Sequence, residues 1–401
     1  MTICIIGGST SQNLRGPQKF LMQFSKWLSN TSIQGIVICG SPKRLARSID
    51  TNNSSMITYE DEKPTLIKHF PSIIHSWLFS FFSFLKVIHL NKSYHFSIIQ
   101  AQDTNYCAMA ALAAAKILHV PVVLLVHGIN MDVVRLLIRP KWLARLYRAY
   151  YLLLQKESIK RSDCVICVSE NNREYLPIGK KIVIPMGVNT ALYHVVQDSA
   201  DIREELRIPK HAFTLGYVGA LSTGKGLRML LESFYYMLQE MPQETSTYLL
   251  IVGDGPEKKE LQDFAAELNI GQYLRLTGFR TDVARLLSIM DVFVFLSESE
   301  GSPIAILEAM AAGKAIIASK IPAIREIVRN GKEAILVDPH SMVDLKRAML
   351  LLFNDSDLRD ELARKVRERA ELYDIDRVYG QMVKLYQELV VAKKNLRCYG
   401  F

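Results

Sequence analysis

The chain has 401 residues, of which 49% are hydrophobic and 22% are charged. This is an ordinary globular composition, and the length is sufficient for two domains with hydrophobic cores. The net charge of +9 favours an anionic partner, which could be nucleic acid, an anionic membrane or a phosphorylated substrate. Composition alone does not choose among these three.

The N-terminal half alternates apolar runs with helical patterns. The opening MTICIIGGS is predicted to form a first strand rather than a targeting segment. The predicted strands are Ile3–Ile6, Gly35–Cys39, Ser97–Ala101, Val122–His127, Cys164–Val168 and Ile182–Ile184. The predicted helices between them are Gln18–Leu28, Tyr106–Leu118 and Lys141–Lys160. This alternation indicates βαβ units and a parallel sheet.

The longest uncharged stretch of the chain is Phe70–Leu85. It contains Pro71 and His75 and is followed by Lys86. Because spanning a bilayer takes about 20 apolar residues, we interpret this stretch as too short for a membrane span.

The cysteines are scattered, and Cys164 and Cys167 form a C-x-x-C inside an apolar run. A zinc site would need a second ligand pair, which the sequence does not supply nearby, so buried thiols are predicted. With no signal peptide pattern at the start, the sequence predicts a reducing, cytoplasmic location.

A second alternating series follows the polar interval Asn189–Pro209. Its predicted strands are Leu215–Val218, Tyr248–Val252, Tyr273–Leu276, Val292–Leu296, Ala315–Ala318 and Ala334–Val337. The sequence therefore predicts an α/β protein with an N-terminal domain over 1–190, a second domain over 191–375 and a C-terminal helical segment over 376–401.

The segment 214–230 (TLGYVGALSTGKGLRML) has a strand, a glycine-rich turn with Lys225, and a helix start. This order is typical of a phosphate site, because free helix N–H groups and a lysine both favour an anion. A Walker A loop is the alternative. Gly226 occupies the position where that loop needs a serine or threonine for Mg²⁺.

The segment 297–313 (SESEGSPIAILEAMAAG) places Glu300 and Glu308 eight residues apart. Glu300 follows a predicted strand, and Glu308 lies inside the next predicted helix. Ligands of open α/β sheets bind at this strand edge. A carboxylate in the helix can accept hydrogen bonds from a ribose diol, and one in the loop can contact a sugar hydroxyl, while two solvated glutamates are the alternative.

These motifs resemble those of the retaining family 4 glycosyltransferases, also called glycosyl transferases group 1. The spacing of Glu300 and Glu308 resembles the family's E-x7-E signature, and LEAMAAGKAIIAS resembles its continuation. The resemblance implies the GT-B fold, in which two doubly wound Rossmann-like domains face each other across a cleft. It also implies that the C-terminal helix, predicted at Asp376–Ala392, crosses back to the first domain.

Segment 219–226 is similar to the family's G-R-L-x-x-x-K-G donor loop, with Ala220 in place of the arginine that helps to hold the donor diphosphate. Segment 253–256 is similar to its G-x-G-P turn, and Ile184–Tyr193 is similar to its I-P-N-G-V-D-x-x-x-F linker, with Met186 and Asn189 as departures. The resemblance implies no metal and no cofactor, with a nucleotide-sugar as co-substrate.

The resemblance also implies functions for individual residues. The implied catalytic residues are Lys225, Glu300 and His127. The implied donor-binding residues are Gly219, Lys225, Gly253, Arg280, Glu300, Gly301, Ser302, Pro303, Ile304 and Glu308. The implied acceptor-side residues are Arg15, Gly16, Gln102 and His127.

Segment 134–161 carries eight lysines or arginines against one acid, Glu157, with Trp142 and several leucines and tyrosines among them. A basic helix of this kind suits an anionic membrane surface, and a solvated basic face is the alternative. Peripheral association with the inner face of the cell membrane is therefore an expectation, whereas nucleic acid is not an expected partner.

The predicted function is retaining transfer of a hexosyl group from a UDP- or GDP-sugar to a lipid-linked or cell-surface glycan acceptor, in polysaccharide biosynthesis. Three alternatives stay open: a nucleotide-sugar epimerase, a P-loop ATPase, and a catalytically silent relative that binds a glycan or nucleotide-sugar.

Overall fold

The computed structural model describes residues 1–7, 16–39, 72–128, 141–177, 179–194, 200–242 and 246–398. The chain divides into two compact units. The first comprises Met1–Met186 together with Asp376–Phe401, and the second comprises Gly187–Ile375. Each unit contains one six-stranded sheet, and the strands that pair within each sheet are parallel.

The first sheet has the strand order β2-β1-β3-β4-β5-β6. Its strands are β1 Thr2–Gly7, β2 Gln34–Cys39, β3 Ile98–Ala101, β4 Val122–Val126, β5 Cys164–Cys167 and β6 Lys181–Val183. The helices of this unit are α1 Gly16–Ser29, α2 Ser72–Tyr94, α3 Tyr106–Leu118, α4 Lys141–Arg161, α5 Glu170–Tyr175 and, near the C-terminus, α15 Ile375–Cys398. The apolar strand runs are buried because helices cover parallel sheets on both faces.

The second sheet has the strand order β12-β11-β10-β7-β8-β9. Its strands are β7 Phe213–Val218, β8 Thr247–Val252, β9 Leu274–Gly278, β10 Val292–Phe295, β11 Ala315–Ser319 and β12 Ile335–Val337. The helices are α6 Thr190–His194, α7 Ala200–Glu205, α8 Leu227–Glu240, α9 Lys258–Glu267, α10 Val283–Ser288, α11 Ile304–Ala311, α12 Pro322–Ile327, α13 Met342–Asn354 and α14 Ser356–Ala370. Short 3₁₀ turns lie at Gly271–Tyr273 and Glu371–Tyr373.

Two doubly wound α/β units confirm the predicted fold class. In the first sheet the chain changes direction between β1 and β3, and in the second it changes direction between β7 and β10. In open parallel sheets such switch points leave a crevice at the carboxyl ends of the strands, and ligands bind there. The fold therefore directs attention to the residues that follow β7 and β10, and to those that follow β1 and β3.

The C-terminal helix α15 packs within the first unit. Tyr379 is buried and contacts Phe20, Phe24 and Trp27, with ring centroids 5.0–5.8 Å apart. Tyr386 donates a hydrogen bond of 2.6 Å to Oε1 of Gln100 in β3. The first unit is thus built from both ends of the sequence.

Within the apolar stretch at 70–85, the long helix α2 begins at Ser72, and it ends at Tyr94. Among the described residues, no helix combines the length and the apolar character that a membrane span requires. Some of the α2 side chains are nevertheless exposed, and these are Trp77, Phe81, Phe82 and Leu85.

Candidate functional site at the carboxyl edge of the second sheet

The glycine-rich loop after β7 lies directly against the loop after β10. The backbone N–H of Glu298 donates to the carbonyl of Gly224 over 3.0 Å. Gly226, which precedes α8, has a φ of +62°. A Cβ atom on Gly226 would lie 2.7 Å from Cβ of Leu296, so both the backbone angle and the close approach require glycine here.

This arrangement brings together Lys225 and Glu300, which are 75 positions apart in the sequence. The Lys225 ammonium forms an ion pair with the Glu300 carboxylate and lies 3.4 Å from the Ser297 hydroxyl. It also lies over the Phe295 ring, 5.8 Å from the centroid. Both charged side chains are mostly covered, with 23% of Lys225 and 16% of Glu300 exposed. A partly desolvated ion pair therefore sits at the switch point of the sheet.

Gly219 and Gly253 lie where the ends of neighbouring strands meet. The Gly253 N–H donates to the carbonyl of Gly278 over 2.9 Å, and the Gly219 N–H donates to the carbonyl of Val252 over 3.0 Å. A Cβ atom on Gly253, whose φ is +149°, would overlap the carbonyl of Gly219. These contacts hold the carboxyl ends of β7, β8 and β9 together. Both glycines therefore have a structural function in addition to the donor contact predicted for them.

Glu308 lies in α11 and is buried, with 2% of its surface exposed. The Tyr193 hydroxyl donates a 2.6 Å hydrogen bond to Oε1 of Glu308. Burial, and next the charge of Glu308, raise the pKa of Tyr193, so its hydroxyl keeps its proton at neutral pH. The solvated-glutamate alternative is therefore wrong for Glu308.

The predicted residues 301–304 connect the Glu300 loop to α11. Pro303 precedes the first helical residue, Ile304, and its carbonyl accepts from the N–H of Ile306 over 3.0 Å. The start of α11 follows the Glu300 loop, and the first N–H groups of a helix favour an anion. Glycine at 301 and serine at 302 are half-buried in this connection.

The arginines near the site are already engaged by other groups. Arg280 donates to the carboxylates of Glu205 and Asp282, which together raise its pKa. The Arg228 guanidinium lies over the Phe264 ring, 3.8 Å from the centroid. Arg280 as a contact to the donor base stays a prediction, and its observed partners favour a structural function.

Two of the predicted acceptor-side residues meet at the carboxyl edge of the first sheet. Gln102 follows β3 and His127 follows β4, and Nε2 of His127 forms a hydrogen bond with Oε1 of Gln102. With the Gln102 oxygen as acceptor, Nε2 carries the imidazole proton. Burial lowers the pKa of His127 from 6.5 to about 3, so the ring is neutral at physiological pH. The Phe20 ring contacts it edge-on, 5.4 Å away.

The remaining acceptor-side predictions concern the segment after β1. Arg15 lies outside the described residues, as does 8–15 in general. Gly16 is the first residue of α1. Within segment 134–161, residues 134–140 are likewise outside the described ranges, and the described part forms α4.

The chain has two Asp-x-Asp sequences, at 355–357 and 374–376, and the structure gives partners to aspartates in both. Asp355 caps α14 by accepting from the N–H of Leu358 over 2.8 Å. Asp374 accepts from the Thr190 hydroxyl over 2.7 Å, and Asp376 accepts from Nε1 of Trp27 over 2.6 Å. Over the described ranges, no group of three or more His, Cys, Asp or Glu side chains is arranged to hold a metal ion.

The C-x-x-C cysteines are buried in β5, as predicted from the apolar run around them. Burial raises the pKa of both thiols, to about 11 for Cys167. Sequence reasoning did not single out Ser297 or the hydroxyl of Tyr193, because each acquires its partner only through the tertiary fold.

Comparison with known proteins identifies the family of this chain. Residues 198–369 match the family model described as glycosyl transferases group 1, and residues 15–192 match that of glycosyltransferase family 4. An Escherichia coli UDP-Gal:alpha-D-GlcNAc-diphosphoundecaprenol alpha-1,3-galactosyltransferase is 24% identical over 390 residues, covering 95% of each chain.

Solved structures show the same fold. A sucrose-phosphate synthase from Thermosynechococcus elongatus superposes with a TM-score of 0.79 at 20% identity, covering 98% of this chain and 99% of that one. The Anabaena protein HepE in complex with UDP superposes with a TM-score of 0.76 at 19% identity, covering 97% of this chain and 100% of that one. With two family models that together cover most of its length and a doubly wound α/β fold in each unit, this chain belongs to the glycosyl transferases of group 1 and family 4.

Proposed function

We propose that the protein transfers a hexosyl group from a UDP- or GDP-sugar to a lipid-linked glycan acceptor, with retention at the anomeric carbon. The observation that carries this proposal is the pairing of Lys225 with Glu300 at the switch point between β7 and β10. A mostly covered cation and a mostly covered carboxylate there supply one partner for a diphosphate and one for a sugar hydroxyl. The UDP in the structurally similar Anabaena protein supports a nucleotide ligand.

In this proposal, donor binding replaces the ion pair between Lys225 and Glu300 with contacts to the donor. The diphosphate competes with Glu300 for the Lys225 ammonium, because it brings more negative charge than one carboxylate. Glu300 is then released to accept a hydrogen bond from a sugar hydroxyl. Lys225 and the start of α11 stabilise the negative charge that develops on the leaving diphosphate, which is the main source of rate acceleration here.

The remaining site residues complete the proposal. The Glu308 carboxylate accepts from the ribose hydroxyls, and the neutral His127, held by Gln102, contacts a hydroxyl on the acceptor side. The acceptor class is taken from the Escherichia coli relative, whose name gives a diphosphoundecaprenol-linked sugar. From that class of acceptor we infer that the protein acts in polysaccharide biosynthesis, at the inner face of the membrane.

The test is a screen of UDP- and GDP-sugars for thermal stabilisation, because a ligand of the folded state raises the melting temperature. Stabilising donors are then incubated with a lipid-linked sugar, and the product's anomeric configuration is determined by NMR. Transfer with retention supports the proposal, whereas transfer with inversion removes the retaining mechanism. Binding without turnover identifies a silent relative, and sugar isomerisation without an acceptor identifies an epimerase.

We infer that no metal takes part in the transfer. The Asp-x-Asp aspartates are used as a helix cap and as acceptors for Thr190 and Trp27. Activity is therefore expected to persist in EDTA. Complete loss that Mg²⁺ or Mn²⁺ restores would contradict this, and Mg²⁺-dependent ATP hydrolysis would revive the P-loop alternative.

We also propose that α2 and α4 bind an anionic membrane surface. The rings of Trp77 in α2 and Tyr150 in α4 are 6.4 Å apart, so the two helices are neighbours. Their exposed apolar side chains include Trp77, Phe81, Phe82, Leu85, Trp142, Leu146 and Leu153. Exposed basic residues on α4, including Arg145 and Arg148, lie among them. Apolar and basic side chains together are typical of helices that lie on a membrane.

The membrane proposal is tested by co-sedimentation with neutral and with anionic vesicles at low and high salt. Each engaged basic residue contributes about 1 kcal/mol, and the attraction decays over about 10 Å at 0.1 M salt. Changing Lys141, Arg145 and Arg148 to Glu should abolish the salt-sensitive part. Changing Arg364 and Lys365 of α14 to Glu serves as the matched control. Equal binding to both vesicle types, or full binding by the triple variant, would overturn the electrostatic account.

A further inference from the structure

A tyrosine outside the predicted site residues holds the buried carboxylate of Glu308. Tyr193 lies in α6 and is 7% exposed, and its hydroxyl is 2.6 Å from Oε1 of Glu308. This distance is typical of a hydroxyl that donates to an ionised carboxylate, which is among the stronger protein hydrogen bonds. The contact fixes the position of one carboxylate oxygen of Glu308.

The position of Tyr193 is set by contacts that do not involve Glu308. The Thr190 hydroxyl donates to Asp374 over 2.7 Å. The Val188 N–H donates to the carbonyl of Tyr373 over 2.8 Å, and the Ile375 N–H donates to the carbonyl of Val188 over 3.1 Å. The segment that carries Tyr193 is therefore attached at its start to the end of the second unit. Its hydroxyl is in place before any ligand arrives.

An ionised carboxylate has about four lone-pair sites, so one hydrogen bond from Tyr193 still allows Glu308 to accept from other donors. A ribose diol needs such an acceptor in a fixed orientation, because both hydroxyls donate to it. Side chains that support a binding residue in this way reduce the ordering that binding otherwise requires. The family's linker pattern ends in phenylalanine at the position that Tyr193 occupies in this chain.

We propose that Tyr193 is a positioning residue that orients the Glu308 carboxylate for the ribose hydroxyls of the nucleotide donor. This proposal rests on the donor function proposed for Glu308. The effect of the tyrosine hydroxyl should therefore depend on the presence of the ribose hydroxyls, a dependence that a purely structural tyrosine would lack.

The experiment removes one hydroxyl from the protein and two from the ligand. Dissociation constants of UDP, GDP and their 2′,3′-dideoxy analogues are measured by calorimetry for the wild type and for Tyr193→Phe. The substitution should weaken ribonucleotide binding about three- to tenfold, the size of one net hydrogen bond. It should leave the affinity for the dideoxy analogue unchanged.

Tyr386→Phe is the matched control. Tyr386 is also buried, and its hydroxyl also donates over 2.6 Å to a side-chain oxygen, that of Gln100 in the first unit. This variant should bind both kinds of nucleotide as the wild type does. If Tyr193→Phe lowers the melting temperature, the ratio of the two dissociation constants is still valid, because both are measured on the same folded protein.

The outcomes separate this proposal from the one it rests on. Equal weakening of ribonucleotide and dideoxynucleotide binding, or no weakening of either, would overturn the positioning function while leaving the donor site in place. Failure of the wild type to bind UDP or GDP would instead remove the proposed donor function, and the function of Tyr193 with it.

Discussion

At the carboxyl edge of β7 and β10 the two side chains that meet are charged, whereas at the carboxyl edge of β3 and β4 they are neutral. Lys225 and Glu300 form an ion pair, and Gln102 and His127 share a hydrogen bond. A charged ligand can replace one partner of an ion pair, because the charge of the other partner is then still neutralised. A neutral pair offers directed hydrogen bonds without attracting an anion. The contrast supports the proposal that the diphosphate binds the second unit and a hydroxyl-bearing acceptor the first.

The largest effect is expected from removing the cation of the charged edge. Lys225→Ala should lower kcat by about 10²- to 10³-fold, because the leaving diphosphate loses a preorganised positive charge. Steady-state kinetics with a stabilising donor measure it. Lys346→Ala, which removes a lysine paired with Glu240 elsewhere in the unit, should leave kcat unchanged. Near-normal turnover together with a large fall in melting temperature would make Lys225 structural.

A smaller effect is expected for the buried carboxylate of the same edge. Glu308→Ala should weaken donor binding by roughly 10- to 100-fold, since a hydrogen bond to a charged group contributes about 1.5–3 kcal/mol. Calorimetry with the donor gives the value. Glu308→Gln preserves the volume and an acceptor for Tyr193, and so separates loss of charge from loss of packing. Unchanged affinity in a folded variant would remove Glu308 from the site.

The fold and the strand ends that carry the candidate site were predictable because their signals are local. The helix at Tyr106–Leu118 has the predicted bounds, and the predicted strands agree with the structure to within about two residues at each end, because apolar runs between turn residues define them. Partners across the fold were not predictable. Whether Lys225 contacts Glu300 depends on β10 lying beside β7, and no single segment of the sequence determines the strand order.

The same limit explains α2 and Tyr193. The run at 70–85 was interpreted as too short for a span, but its length as a helix and the exposure of its aromatic side chains depend on what packs against it. The hydroxyl of Tyr193 finds Glu308, 115 positions later in the sequence, through the packing of the linker on α11.

A modest gain in affinity is expected when charge is added to the donor loop. Ala220 is exposed, and its carbonyl accepts from the Tyr217 hydroxyl over 3.0 Å, so a long side chain has room there. Ala220→Arg should tighten binding of the donor diphosphate severalfold, because Arg228 and Arg280 are held by other groups. Ala220→Gln tests length without charge. No change in the donor dissociation constant would mean that another cation already fills this role.

The smallest effect concerns the neutral edge and is a dependence of stability on pH. The pKa of His127 is about 3 in the folded protein and about 6.5 when unfolded, so the unfolded state binds more protons between these values. The stability that the neutral ring contributes is complete above pH 6.5 and is lost as the pH falls toward 3. The melting temperature of His127→Gln should therefore fall less than that of the wild type between about pH 7 and about pH 5.

The exposed His340 provides the control for this measurement. His340→Gln should follow the wild type across the same range. If His127→Gln leaves the pH dependence of the melting temperature unchanged, the His127 ring is not desolvated in solution.

The discontinuous first unit also has a consequence for biosynthesis. Ribosomes deliver Gly187–Ile375 as one uninterrupted segment, so the second unit can fold as soon as that segment emerges. In strand β3, Oε1 of Gln100 receives a hydrogen bond from Tyr386, which lies 286 positions later in the sequence. Sequence separation of this size slows folding, because a long loop closes before its contacts form. The first unit is synthesised first but is therefore expected to reach its native state last. Nascent chains that stall before Asp376 would expose the incomplete core of this unit.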